Sequence, residues 1–481
     1  MNFVTLKDLL PLVPEIIILF TSFIVILVDL FAPKKNRMTT LAVTSLVGIG
    51  LALFAEFQLY GSNPTGFYGT VVSDPYSILF ESLYLIVAGV TVFISLHYIA
   101  EQEMNYGEYY VLLLSALMGM MVMTSSLEML VIFIGLEIMS ISSYILVGMK
   151  RRVALSNEAA LKYLLLGAFS TGFLLYGISL LYGATGTTYL PGIIESLQQG
   201  PFFSNPLAVA GVGLVIISMS FKIAIVPFHM WTPDVYQGAP TSVTSFFSVV
   251  PKIAGIAVFI RFMYVPFNEI INQWQFILIF ISIASMILGA VAAIGQGNIK
   301  RLFAYSSIGH IGYAIAGIAA GTENGLKSTL IYITIYSIMN IGAFGFIFLM
   351  KRGTKYIEEI DELAGLSKNH PMMSLSLLVI LFSLAGIPPL AGFFAKFYIF
   401  MSVIESGMYT LAIIGLVTTV VSAFYYIRIV KIMYFDDPRK PFENDKEYGI
   451  YTSMAISCLL LITFFLYPSI FSEILSNISI Y

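Results

Sequence analysis

Fourteen apolar segments, each long enough to cross a bilayer, leave this chain of 481 residues few ways to fold. A crossing takes about 20 apolar residues, and backbone groups in lipid must find their partners inside the segment, so each segment reads as a helix. Cutting at polar, Gly and Pro clusters places them at 14–31, 39–59, 75–97, 109–125, 127–149, 158–182, 206–229, 241–263, 274–296, 301–320, 326–350, 371–400, 409–434 and 449–470. Only 11% of the residues are charged, where a soluble domain carries about 25%. An all-α polytopic membrane protein is expected. The first segment spans and has no basic stretch before it, so no cleavable signal peptide is expected.

The same sequence excludes several chemistries. Cys458 is the one cysteine, which rules out a disulfide and a thiolate metal or cluster site within the chain. His97, His229, His310 and His370 show no metal-ligand spacing. No GxGxxG, P-loop or GxSxG stretch points to a nucleotide site or a serine hydrolase. A net charge of −3 gives no sign of a nucleic-acid partner.

Basic residues suggest the orientation. Lys34, Lys35 and Arg37 follow the first segment, and Lys150, Arg151 and Arg152 the fifth. Lys300 and Arg301 follow the ninth, Lys351, Arg352, Lys355 and Lys368 the eleventh, and Arg428, Lys431, Arg439, Lys440 and Lys446 flank the connection after the thirteenth. The other side holds only Lys7, Arg261 and Lys327. Both termini are therefore expected outside. The acidic loop Glu101, Glu103, Glu108 is the exception, where a partner surface would have to compensate. Segments 4–8 and 9–13 are expected to form two five-helix repeats, inverted because the number of crossings between them is odd. The chain then divides into helices 1–3 (1–106), a first repeat (107–263), a second repeat (274–434) and a last helix (449–481), all in one membrane domain. Pro227 in the seventh segment and Gly386-Ile387-Pro388-Pro389 in the twelfth are expected to break those helices, since proline removes a helix hydrogen bond.

Ionisable residues inside apolar segments are the candidates for function. A lysine at the bilayer centre costs about 2.5–3.5 kcal/mol on insertion scales. Lys222 and Lys252 sit in the seventh and eighth segments, Pro251 directly precedes Lys252, and Lys396 lies in the twelfth. Lysine suits a proton relay because burial shifts its protonation readily, whereas arginine stays charged; snorkelling to the interface is the structural alternative. Glu137, midway along the fifth segment, reads as the partner of Lys222 or as a neutral acid held by a serine. Lys162 follows Glu158 by four residues, a relay position or a helix-end ion pair. His229 and His310 could bridge neighbouring lysines, His310 lying within a helix and His229 at a helix end, where a structural role competes. Glu137, Lys222, Lys252 and Lys396 are expected on one hydrated polar line, because isolated buried charges would each carry a separate desolvation penalty.

The stretches FKIAIVPFHMWTPDVYQGAP, NIKRLFAYSSIGHIGY and LAGIPPLAGFFAKFYIF, with ALKYLLLGAFSTGFLLYGISLLYGATGT, lie between positions 107 and 400. In them the chain resembles the antiporter-like membrane subunits of the proton-pumping NADH:quinone oxidoreductase, respiratory complex I, and within that family the subunit N type. The resemblance implies a Glu137–Lys222 pair, Lys252 as the central relay, Lys396 facing a second half-channel, and Glu108, Lys162, His229 and His310 as further polar positions of the axis. It also implies that this chain holds no cofactor, with flavin, iron–sulfur clusters and quinone in partner subunits. The implied partners are other membrane subunits, neighbouring antiporter-like subunits among them, within the lipid bilayer of a bacterial cell membrane. Two alternatives remain open at this point: a subunit of a multi-subunit cation/proton antiporter, and a stand-alone transporter of an organic substrate.

Overall fold

The structure is a computed structural model that describes residues 5–33, 36–102, 104, 106–197, 205–443, 447–470, 473 and 478. Of the charges used to orient the chain, Lys34, Lys35, Glu103 and Lys446 lie outside the described residues. The helices are α1 (Val13–Phe31), α2 (Arg37–Leu59), α3 (Pro75–Ile94), α4 (Leu96–Glu101), α5 (Gly107–Ser125), α6 (Met129–Val147), α7 (Ala154–Thr185), α8 (Leu190–Leu197), α9 (Pro206–Lys222) and α10 (Trp231–Gly238). They continue with α11 (Thr241–Phe247), α12 (Val250–Phe267), α13 (Ile271–Ile294), α14 (Ile299–Ala319), α15 (Glu323–Phe348), α16 (Leu366–Asn369), α17 (Pro371–Ala385), α18 (Ala391–Glu405), α19 (Tyr409–Phe435) and α20 (Tyr448–Leu466). Among the described residues the only strands are two-residue pairs at the hairpins Thr65–Val72 and Lys351–Tyr356.

Each of the fourteen segments holds a helix, but among the described residues twelve helical stretches are long and apolar enough to cross a membrane. The two shorter ones, Pro206–Lys222 and Pro371–Ala385, stand in the seventh and twelfth segments. Those are the segments in which Pro227 and the Gly386–Pro389 stretch are expected to break the helix. A further interruption was not expected: the eighth segment is split at Ser248–Val249 into α11 and α12.

The chain folds into two compact units, one of residues 1–223, 238–270 and 478–481, the other of 224–237 and 271–477. In the first, α12 is buried along its length, against α3, α5, α8 and α9. In the second, α14 and α15 form the buried centre, while α13, α19 and α20 turn large apolar side chains such as Phe276, Phe280, Val420 and Leu459 outward. Small residues let the helices approach, as expected where lipid removes the hydrophobic drive between helices. A Cβ on Gly119 of α5 would stand 2.5 Å from the Gly135 carbonyl oxygen of α6. A Cβ on Gly289 of α13 would stand 2.5 Å from the Gly309 nitrogen of α14. Glycine thus marks the crossing of α5 with α6 and of α13 with α14.

Outside the spans, an ionic clamp closes the second unit. Glu362 accepts from Arg352 at 2.6 Å through one oxygen and from Arg439 at 2.6 Å through the other. Arg352, and then Arg439, hold the Glu362 carboxyl below the usual carboxylate range. Because the folded value is lowered, the contribution of this clamp is complete above the unfolded value and is lost as pH falls through the folded one. Glu362→Gln should therefore speed hydrogen exchange in 436–443 at neutral pH, with the difference from wild type closing in acid. A difference that persists unchanged in acid would remove the Glu362 charge from this account.

Candidate functional site

Each buried lysine expected from the sequence lies at a helix discontinuity or reaches one with its ammonium. Helix α9 begins on an Asn205 cap followed by Pro206 and ends at Lys222. Ala224, two residues on, adopts a left-handed conformation (φ 60°), which stops the helix. The Lys222 side chain, 4% exposed, reaches across to α6, where its Nζ donates to Ser140 Oγ at 2.8 Å and approaches Tyr144 Oη at 3.5 Å. Ser140 in turn donates to the Leu136 carbonyl at 2.6 Å. Glu137, one turn before Ser140, acts on Lys222 and on Tyr144 through space, and its Oε1 is buried without a hydrogen-bond partner. Ser140 and Tyr144 are thus the groups that touch the ammonium, and Glu137 bears on it through charge alone.

Lys252 stands three residues past the split between α11 and α12 and is 1% exposed. Pro251 occupies the first turn of α12, where a missing N–H leaves nothing unpaired. The proline that marks the break was visible in the sequence; its meaning as a helix start was not.

In the second unit, Gly386 (φ 83°) ends α17, and the chain passes Pro388 and Pro389 before α18 resumes at Ala391. The last carbonyls of a helix have no partner within it and carry a partial negative charge. Two of them, Leu384 O and Ala385 O, accept from Lys396 Nζ at 3.1 Å each. The same ammonium lies 5.1 Å from the ring of Tyr313. On α14, His310 pairs through Nδ1 with Tyr332 Oη (2.7 Å) and through Nε2 with Tyr426 Oη (3.1 Å), and Tyr426 meets Ser306. The ring of Tyr313 lies 6.3 Å from that of His310 and accepts at its hydroxyl from Thr419. Lys396 and His310 therefore flank Tyr313 within a buried tyrosine cluster. The sequence reading missed this cluster, though IYITIYS places Tyr332 and Tyr336 one turn apart on α15.

The remaining candidates stand elsewhere. Glu108 is exposed in the first turn of α5, where its charge acts on Arg37. Lys162 is 44% exposed and paired with Glu158 at 2.7 Å, the helix-end ion pair. His229 is partly buried in the turn after α9, its Nδ1 without a hydrogen-bond partner. Among the described residues no group of His, Cys, Asp or Glu is arranged to hold a metal ion.

Apolar helices, cut at the places where buried lysines stand, define an antiporter-like membrane protein. The family model described as "NADH:quinone oxidoreductase/Mrp antiporter, TM" matches residues 126–422, which hold all three lysines and Glu137. The chain belongs to the NADH-quinone oxidoreductase subunit N family: it is 46% identical to the protein of that name from Pelagibacter ubique over 98% of each chain, and 43% identical to that from Paramagnetospirillum magneticum over 96% of this chain and 95% of the relative. Among solved structures it is similar to a chain of respiratory complex I from Thermus thermophilus, with TM-score 0.80 and 30% identity over 95% of this chain and 97% of that one. A chain of the Mrp complex from Dietzia shares the fold at TM-score 0.83 and 18% identity, covering 98% of this chain and 97% of that one.

Proposed function

We propose that this chain translocates protons across a bacterial cell membrane as a non-redox subunit of NADH:quinone oxidoreductase, driven by quinone reduction in partner subunits. One observation carries the reading: Lys222, Lys252 and Lys396 are each less than a tenth exposed, Lys222 ends α9, Lys252 stands in the first turn of α12, and Lys396 reaches from α18 back to the open end of α17. A break frees backbone carbonyls that a charged lysine or water can satisfy, and lysine, unlike arginine, can release the proton it holds. Near full-length identity to relatives named subunit N favours this reading over a cation/proton antiporter, for which the Mrp likeness supplies the fold alone. Flavin, iron–sulfur clusters and quinone belong to partner subunits in this reading. Other membrane subunits, among them neighbouring antiporter-like ones, flank the chain, and both termini face outward.

The test is proton uptake driven by NADH in vesicles, normalised to assembled complex. Glu137→Gln and Lys222→Ala should each lower uptake, and the double variant should fall no further than the worse single one, because two groups acting as one unit are not additive. Full uptake by both singles would leave the couple as structural charge.

A further inference from the structure

Helices α1, α2 and α3 each carry an acid within an apolar length, and all three acids turn inward. Glu15, Glu56 and Glu81 are 3%, 1% and 3% exposed. Glu15 is near the start of α1, Glu56 near the end of α2 and Glu81 in the second turn of α3, so alternating chain direction brings them to the same end of the three helices. The Glu56 and Glu81 carboxyls lie within hydrogen-bond reach of each other, and the Glu15 charge bears on Glu81. Ser125, the last residue of α5, donates to Glu15 Oε1 at 3.1 Å. One oxygen of each acid, Glu15 Oε2, Glu56 Oε1 and Glu81 Oε1, is buried with no donor.

What would satisfy those oxygens decides the nature of the site. The cation whose charge reaches Glu81 is Arg261 of α12, and it is engaged elsewhere, by Asp74 at 2.7 Å and over the ring of Tyr76 at 4.9 Å. The three carboxyls are not arranged to hold a metal ion. Two carboxylates cannot hydrogen-bond to each other, since both only accept; a carboxylic acid can donate to a carboxylate. Like charges this close in a low-dielectric site also cannot all persist. We propose that Glu15, Glu56 and Glu81 form a proton-binding site, separate from the lysines, which holds at least one exchangeable proton among its three carboxyls. Where translocation itself is concerned, the site rests on the function proposed above. Arg261 follows Lys252 by nine residues on α12, about 13 Å along the axis at 1.5 Å per residue, and both belong to the compact unit that contains the acids.

The test reads the proton and not the pump. Infrared spectra of the purified, assembled complex in H2O and D2O at neutral pH should show a carboxylic C=O stretch that shifts in D2O and is lost in Glu56→Gln or Glu81→Gln. Retention of every such band in all variants that assemble would overturn the proposal. Failure of Glu15→Gln, Glu56→Gln and Glu81→Gln all to assemble would overturn it too, because a neutral amide should replace a neutral acid. Since the readout needs no turnover, a complex in which lysine variants pump normally would refute the function proposed above and leave this site standing.

Discussion

Lys252→Arg should assemble into a full complex that oxidises NADH yet pumps poorly, with proton uptake down about tenfold or more, equivalent to about 1.4 kcal/mol or more on the transfer barrier. The position is 1% exposed at the start of α12, so the side chain has no direct route to bulk water. Arginine keeps the charge and comparable reach but does not release its proton at accessible pH. Lys252→Ala should pump equally poorly for the opposite reason, having no proton to pass. The two variants together separate charge from exchange: if the lysine served only to balance charge, arginine would restore uptake and alanine would not. Uptake is measured per assembled complex, so that a folding loss in the alanine variant is not counted as a transport loss. Wild-type uptake by Lys252→Arg would remove Lys252 from the relay.

Gly392→Ala should abolish or sharply reduce assembly. A Cβ there would lie 1.8 Å from the Ser383 carbonyl oxygen and 2.9 Å from Ser383 Oγ, so the methyl group meets backbone that cannot move aside. The Gly392 N–H also donates to Ser383 Oγ at 3.1 Å, which ties the first turn of α18 to the last turns of α17. Overpacking a well-packed site costs about 1–3 kcal/mol and occasionally more, and a backbone clash this short belongs at the upper end. The measurement is the amount of intact complex on a native gel, with Gly407→Ala as the comparison. Gly407 has nothing within 4 Å of its Cβ position, although its left-handed conformation (φ 75°) adds a small strain of its own. Equal assembly of the two variants would show that the close approach of Gly392 to Ser383 does not limit the α17–α18 junction.

The spans were legible because lipid imposes one rule on every segment, and length with composition satisfies it. The buried lysines were legible for the same reason inverted, since a charge deep in an apolar stretch stands out against its neighbours. Glu15, Glu56 and Glu81 obey the same rule but lie near helix ends, where a carboxylate pointing outward would meet water cheaply, so their burial leaves no mark in the sequence. Which way they turn depends on helix rotation, and that is set by packing rather than by local sequence. The split before Lys252 hid behind a proline whose place in the first turn of a helix and whose place in an unbroken one look alike in sequence. Ser140 stayed invisible as the contact of Lys222 because a hydroxyl in an apolar helix is ordinary. The tyrosine cluster around His310 comes from three helices, α14, α15 and α19, and single-helix spacing shows only fragments of it.

The two carbonyls that receive Lys396 give its protonation a mechanical consequence. An ammonium offers full charge and three donors to the open end of α17, whereas an amine offers two donors and no charge. Charge-assisted hydrogen bonds are roughly twice as strong as neutral ones, so loss of the proton would slacken the side chain's grip on Leu384 and Ala385. On the function proposed above, unloading the lysine would loosen its hold on the open end of α17 and reloading it would restore that hold, which would couple the proton to the join between α17 and α18.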